Sequence, residues 1–239
     1  MTSVSALAAR VLETPPRLGG VRLVCIDGPA GSGKTTLATR LAAALAAAPV
    51  PPGGAGAEER GVSAGTPGPA SDGGSATTGA TGVEGPGVTG SSRAAGPGPV
   101  STAVVHLDDL YEGWAGLDGV GERLGAQVLD QLARGRPGRY QRYDWVAGRY
   151  DAWVDVPVPD VLVVEGCGSA PRGVAGRTVL VVWVEAPAAL RLRRGLERDG
   201  EAMRVEWERW MERETSHFAR EGTRARADVA VDGTRALDP

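Results

Sequence analysis

Apolar positions along this chain switch repeatedly between two periods. Val21 to Ile26 is a short apolar run with β-branched residues, which predicts a buried strand. From Thr35 to Ala48 the period changes. Leu37, Leu41 and Leu45 recur every fourth residue with alanines between them, the stripe of a helix. Ahead of these, Ser5 to Glu13 reads as a short helix, stopped by Pro15, Pro16, Gly19 and Gly20. The alternation then repeats. Ala103 to Leu107 predicts a strand ending in Asp108 and Asp109. Glu122 to Arg134 predicts a helix with Leu124, Val128 and Leu132 on one stripe, stopped by Gly135. Val161 to Val164 and Thr178 to Val184 predict two more strands, ending at Glu165-Gly166 and Glu185-Ala186-Pro187. Ala188 to about Ala219 reads as two helical segments, the second burying Met203, Trp207, Trp210, Met211 and Phe218. Ala227 to Val231 predicts a fifth strand. Strands alternating with helices imply one α/β domain with a mostly parallel five-stranded sheet, covered by helices on both faces.

One segment breaks this rhythm. Of the 52 residues from Pro49 to Val100, 15 are Gly, 8 are Pro, and none is Leu, Ile, Phe, Tyr or Trp. Such a composition offers too little apolar surface to offset the entropy of ordering it. The expectation is a disordered insertion within the domain, because the elements on both sides continue one βαβ pattern. Elsewhere, composition narrows the class. The net charge of −3 argues against a dedicated nucleic-acid partner. Cys25 and Cys167 stand far apart, outside any metal-ligand spacing, so no disulfide framework is expected. The first twenty residues lack a signal pattern and no apolar run is long enough to span a bilayer, so a cytoplasmic protein without a membrane partner is expected.

The chemistry begins after the first strand. Gly28-Pro29-Ala30-Gly31-Ser32-Gly33-Lys34-Thr35 fits the G-x-x-x-x-G-K-[ST] pattern, with a strand before it and a helix after it. Glycines let the backbone N–H groups turn inward as a nest for phosphate oxygens, and the helix N-terminus adds partial positive charge. All but one of the 26 basic residues are arginine, and the exception is Lys34. A P-loop NTPase fold follows, with Gly28 to Thr36 as the nucleotide cradle. Lys34 is assigned to the β- and γ-phosphates of ATP, and Thr35 to magnesium. Magnesium asks for hard oxygen ligands, and parallel sheets gather such groups at strand ends. Asp108 and Glu165 sit there, so Thr35, Asp108 and Glu165 are the candidate metal ligands. Asp108 is also the candidate group for handling an acceptor hydroxyl. Asp27, directly before the loop, is assigned a structural role.

Two stretches supply further candidates. Arg191, Arg194 and Arg198 recur at helical spacing, so one face could present them to ATP; Arg194 and Arg198 are the candidates for closing over the transferring group. Residues Arg139 to Trp153 interleave Tyr140, Tyr143, Trp145, Tyr150 and Trp153 with Arg139, Arg142 and Arg149, a combination suited to a ring-bearing acceptor, even a phosphorylated one. Trp114 could wall the same pocket. His106 reads as a packed strand residue.

In order and spacing these segments resemble the uridine kinase-like nucleoside kinases, which are related to phosphoribulokinase and pantothenate kinase. Asp108-Asp109-Leu110-Tyr111 resembles that family's Asp-Ser-Phe-Tyr segment, which implies that Asp108 is the catalytic base. Tyr143-Asp144-Trp145-Val146 resembles its Tyr-Asp-Phe-Val stretch, which implies a place for Tyr143 at the acceptor's base. The strand ending in Glu165-Gly166 implies Glu165 near magnesium, and Arg191 to Asp199 resembles the family's lid. Gly148 stands where that family has a base-reading histidine, and Asp118 is the one candidate for its second acidic motif. The resemblance implies an ATP-dependent kinase for a small molecule, with Tyr111, Trp114, Tyr143, Trp145 and Asp108 around the acceptor. Two alternatives stay open: a nucleoside monophosphate kinase, and a nucleotide-dependent ATPase switch with no acceptor.

Overall fold

The apolar run that begins at Val21 becomes the central strand. The computed structural model describes residues 3–48, 99–235 and 238. Through these the chain runs α1 (Val4–Glu13), β1 (Arg22–Asp27), α2 (Lys34–Ala47), β2 (Thr102–His106), α3 (Val120–Leu124), α4 (Asp130–Leu132), β3 (Gly138–Asp144), β4 (Arg149–Val156), β5 (Val161–Glu165), β6 (Thr178–Glu185), α5 (Ala188–Asp199), α6 (Arg204–Glu221), α7 (Thr223–Arg226) and β7 (Val229–Asp232). Five strands form one sheet in the order β2-β5-β1-β6-β7, and every neighbouring pair is parallel. This is the P-loop NTPase fold.

Burial explains the continuous apolar runs. Successive side chains of a strand point to opposite faces. Leu23 and Cys25 therefore join Leu162 and Val164 in one core, and Val24 and Ile26 join Val161 and Val163 in the other. Leu7, Val11, Leu37 and Leu41 of α1 and α2 close the second core. Leu124, Val128, Leu132 and Trp210 close the first. With both faces covered, no strand position near the centre can be polar, except at the ends where chemistry is carried.

Four expectations change in detail. The aromatic stretch forms an antiparallel hairpin, β3 with β4, whose register shifts between Gln141 and Tyr143. The helix expected from Glu122 to Arg134 begins at Val120 and passes through a π turn, Gly125–Leu129, before α4. On α6, Trp207 and Trp210 are buried as expected, but so are Glu214 and His217, whereas Met211 and Phe218 are only half-buried. Met203 is exposed, because it belongs to the 3-10 turn Glu201–Met203 ahead of α6. Finally, the expected insertion lies outside the described residues as far as residue 98. Its last residue, Val100, is 6% exposed and packs into the second core. No helix among the described residues is long and apolar enough to cross a membrane.

Leu41 is fully buried between α2 and the sheet. Leu41→Ala should lower the unfolding free energy by about 2–5 kcal/mol, read from urea titration.

Candidate active site

The loop after β1 is shaped by a buried carboxylate and by close backbone contact. Asp27 is fully buried. Its Oδ1 accepts the N–H groups of Gly28 (2.7 Å) and Gly168 (2.8 Å), and its Oδ2 accepts that of Ala170 (2.9 Å). Burial pushes its pKa up, and these three N–H groups oppose that rise. Gly28 has φ 137°, and a Cβ there would lie 2.1 Å from the Val184 carbonyl oxygen, so no other residue fits. Gly33 at φ 102° precedes α2, and no side chain caps that helix. Its first-turn N–H groups are left for an anion.

Lys34 is 6% exposed. Its Nζ donates to the Pro29 carbonyl (2.9 Å) and lies 3.7 Å from Cys167 Sγ. Burial opposes its charge, but the surrounding acidic groups Cys167, Glu165, Glu214 and Asp27 outweigh burial and hold the pKa above the ordinary lysine value. Cys167 is itself buried, and that burial drives its own pKa upward.

Opposite the loop, Glu165 is 4% exposed at the end of β5. Its Oε1 accepts from the Thr35 hydroxyl (3.1 Å) and meets His106 Nδ1 at 2.6 Å. The hydrogen bond to Glu165 raises the His106 pKa against the effect of burial. His106 thus orients Glu165, a role its place in a strand did not reveal. Asp108 is an exposed residue that opens onto the cavity, and partial desolvation of its carboxyl, then the charge of Glu165, raises its pKa.

Lys34, Thr35, Asp108, Glu165 and Cys167 line one cavity of about 810 Å³. Of the residues expected at the site, Ala30, Gly31, Gly33, Lys34, Thr35, Thr36, Asp108, Tyr111, Trp114, Trp145, Glu165, Arg194 and Arg198 line it. Gly28, Pro29, Ser32 and Tyr143 do not. Tyr143 packs its ring on Trp145 and Tyr150 at 5.5 and 5.2 Å, and so supports the wall from behind. Asp118 lies away from this cavity and pairs with Arg220. Of the three arginines expected in a lid, Arg191 faces inward and pairs with buried Glu214 instead. Arg194 donates to the carbonyls of Gly31 and Gly233, both at 3.1 Å. Arg198 is held by two bonds to Asp199, which also accepts from Trp207 Nε1.

The hairpin braces the turn that carries Asp108. Tyr140 donates to Asp109 (2.9 Å), Trp145 Nε1 to the Asp108 carbonyl (2.9 Å) and Tyr150 to the Leu110 carbonyl (2.9 Å). Trp114 makes edge contacts with Trp145, Trp207 and Trp210. Cys167, Asp199, Trp207 and Trp210 line the cavity without having been expected there. The tryptophans are signalled by the apolar stripe of α6, but nothing in that stripe tells which of its members border a cavity.

No known family's sequence model matches the chain, and no curated protein does. Solved structures do share the fold. A possible uridine kinase from Bacillus stearothermophilus superposes with a TM-score of 0.55 at 19% identity, over 96% of this chain and 97% of that one. A "putative fructose transport system kinase" from Silicibacter sp. TM1040 superposes with a TM-score of 0.53 at 21% identity, over 97% of this chain and all of that one.

Removing the Asp27 carboxylate strands three N–H groups. Asp27→Ala should destabilise the protein by about 3 kcal/mol or more in urea titration, since each buried unsatisfied donor costs about 1–3 kcal/mol. Asp27→Asn should cost less, because its one carbonyl oxygen has two lone pairs and can still accept from Gly28 and Gly168.

Proposed function

We propose that the protein is an ATP-dependent kinase that transfers the γ-phosphoryl group to a hydroxyl of a small molecule. The observation that carries this reading is the convergence of Lys34, Thr35, Glu165 and Asp108 on a single cavity. The names of the two fold neighbours, both given as kinases, support phosphoryl transfer on such a frame.

Each residue has a task. Lys34 and the free amides at the start of α2 bind the phosphates. The hydroxyl of Thr35 and the carboxylate of Glu165, 3.1 Å apart, are hard oxygen donors that fit magnesium. No group of three or more His, Cys, Asp or Glu among the described residues could hold a metal alone. Asp108, which lines the same cavity, is the further oxygen donor that would hold the ion or a water of its shell. When bound, magnesium would neutralise phosphate charge. Asp108 accepts the proton of the acceptor hydroxyl. No side chain donates a hydrogen bond to its carboxylate among the described residues, and its raised pKa brings it toward the range of a working base. Arg194 and Arg198, on the cavity side of α5, neutralise charge on the transferring group.

The acceptor half disfavours a phosphorylated substrate. Among the described residues, the cations lining the cavity are Lys34 on α2 and Arg194 and Arg198 on α5, all on the nucleotide side of this reading. Arg142 and Arg149 do not line it, and Arg139 pairs with Asp155 and covers the Trp153 ring. The rest of the lining includes Asp108, Asp109, Tyr111, Trp114, Trp145 and Trp210, rings and carboxylates together. Such a lining suits an uncharged acceptor with a flat ring, such as a nucleoside.

ADP release from ATP-Mg, measured against nucleosides, nucleoside monophosphates, pantothenate and sugar phosphates, tests the reading. A phosphorylated product from one uncharged acceptor is expected. Hydrolysis alone, with no acceptor stimulating it, would give the ground to the ATPase switch. Asp108→Asn should lower transfer by about 10²–10⁴-fold while ATP binding in calorimetry stays intact; an unchanged transfer rate removes Asp108 from the mechanism.

A further inference from the structure

α6 carries a carboxylate where its stripe calls for an apolar side chain. Trp207, Trp210, Glu214 and His217 form its buried face, and Glu214 is 1% exposed. A buried charge persists only if it is paired and fully hydrogen-bonded. The partners of Glu214 come from three other parts of the chain. Arg191 of α5 donates Nη1–H to Oε1. The Ala30 N–H of the P-loop donates to Oε2 at 2.8 Å, and Cys167 Sγ lies 3.5 Å from the same oxygen.

Arg191 completes the arrangement. The same Nη1 also reaches the Ala30 carbonyl (3.3 Å), and Nε donates to the Ala186 carbonyl (3.1 Å). Ala30 is thus held at its N–H by Glu214 and at its C=O by Arg191. The next residue, Gly31, lies against the Arg191 backbone so closely that a Cβ would sit 2.6 Å from its carbonyl oxygen. Gly31 in turn accepts from Arg194. The outer turn of the P-loop is therefore docked on α5 and α6, and the helix bearing Arg194 and Arg198 is fixed by the same contact.

We infer that Glu214 is a positioning residue for the nucleotide: it holds the P-loop and α5 in register without touching the cavity itself. Glu214 does not line the cavity, yet its negative charge is among those that keep buried Lys34 protonated. The inference rests on the reading of the cavity as a nucleotide site, and the same experiment tests the two separately.

ATP-Mg binding is measured by calorimetry on the whole chain, with melting temperature followed in parallel. If the wild-type protein binds no ATP-Mg, the nucleotide reading fails, and this inference falls with it. If it binds, Glu214→Gln should weaken ATP-Mg binding by about tenfold, as expected when a hydrogen-bonded charge is removed from a preorganised site. The KM for ATP should rise and the KM for the acceptor should not. A purely structural role predicts something different. The double variant Arg191→Met with Glu214→Leu replaces the ion pair by apolar groups of similar size, an exchange that often restores stability. The expected result is a melting temperature near wild type with ATP-Mg binding still about tenfold weak. A double variant that regains both, or a Glu214→Gln protein that binds ATP-Mg as the wild type does, overturns the inference.

Discussion

The carboxylate of Asp27 joins two loops that would otherwise leave the sheet independently. It closes β1, and through three backbone N–H groups it binds the first residue of the P-loop to the segment that follows β5. That second segment begins at Glu165 and carries Cys167, whose carbonyl accepts from Tyr111. One buried acid thereby sets the distance between the phosphate loop and the strand end facing it. The cost of burying it is offset by hydrogen bonds that also satisfy three backbone donors, which otherwise would be stranded in the core. Parallel sheets place their ligands at the carboxyl ends of the strands. Here that edge is fastened from beneath before any ligand arrives.

Above this anchor the site consists of two separately braced halves. In the proposed reading, the nucleotide half is Lys34, the start of α2, and α5 with Arg194, tied together through Arg191 and Glu214. The acceptor half is the turn from Asp108 to Tyr111, held by Tyr140, Trp145 and Tyr150 of the hairpin. Glu165 lies between them, bonded to Thr35 on one side and His106 on the other. The electrostatics divide the same way. Cys167, Glu165, Glu214 and Asp27 favour the charged form of Lys34, whereas partial desolvation and then the charge of Glu165 favour the neutral form of Asp108. In the proposed reading a base and a phosphate-binding cation share one cavity, and the charge of Glu165 bears on both.

Much of this frame is legible in the sequence because its signals are local. The P-loop is contiguous, its strand is one apolar run, and the stripe of Leu37, Leu41 and Leu45 needs only a helical period. The strand-end acids Asp108 and Glu165 follow from the rule for parallel sheets. What escapes reading is non-local or aperiodic. The hairpin is hidden because its register shifts between Gln141 and Tyr143, which breaks the two-residue alternation by which strands are recognised. Arg191 reads as one more lid arginine until Glu214, 23 positions along, is seen to bury it. A signal for that pair does exist. The stripe of Trp207 and Trp210 continues to position 214, and an acid on a buried stripe asks for a partner.

The hairpin carries the argument to its last step. Its tip holds Trp145, 42% exposed, and Val146, fully exposed, and both line the cavity. Across the same cavity, Met203 is exposed at the turn between α5 and α6. Apolar groups left in water at a cavity rim gain free energy when a ring-bearing molecule covers them. The Trp145 indole also holds the Asp108 carbonyl, so contact between an acceptor and this ring bears on the backbone that carries the proposed base. In the proposed reading, recognition of the acceptor's body and placement of its hydroxyl are therefore coupled through a single side chain. An acceptor too small to reach Trp145 forgoes that coupling, and this gives the site a physical reason to prefer a molecule with a flat ring over a bare polyol.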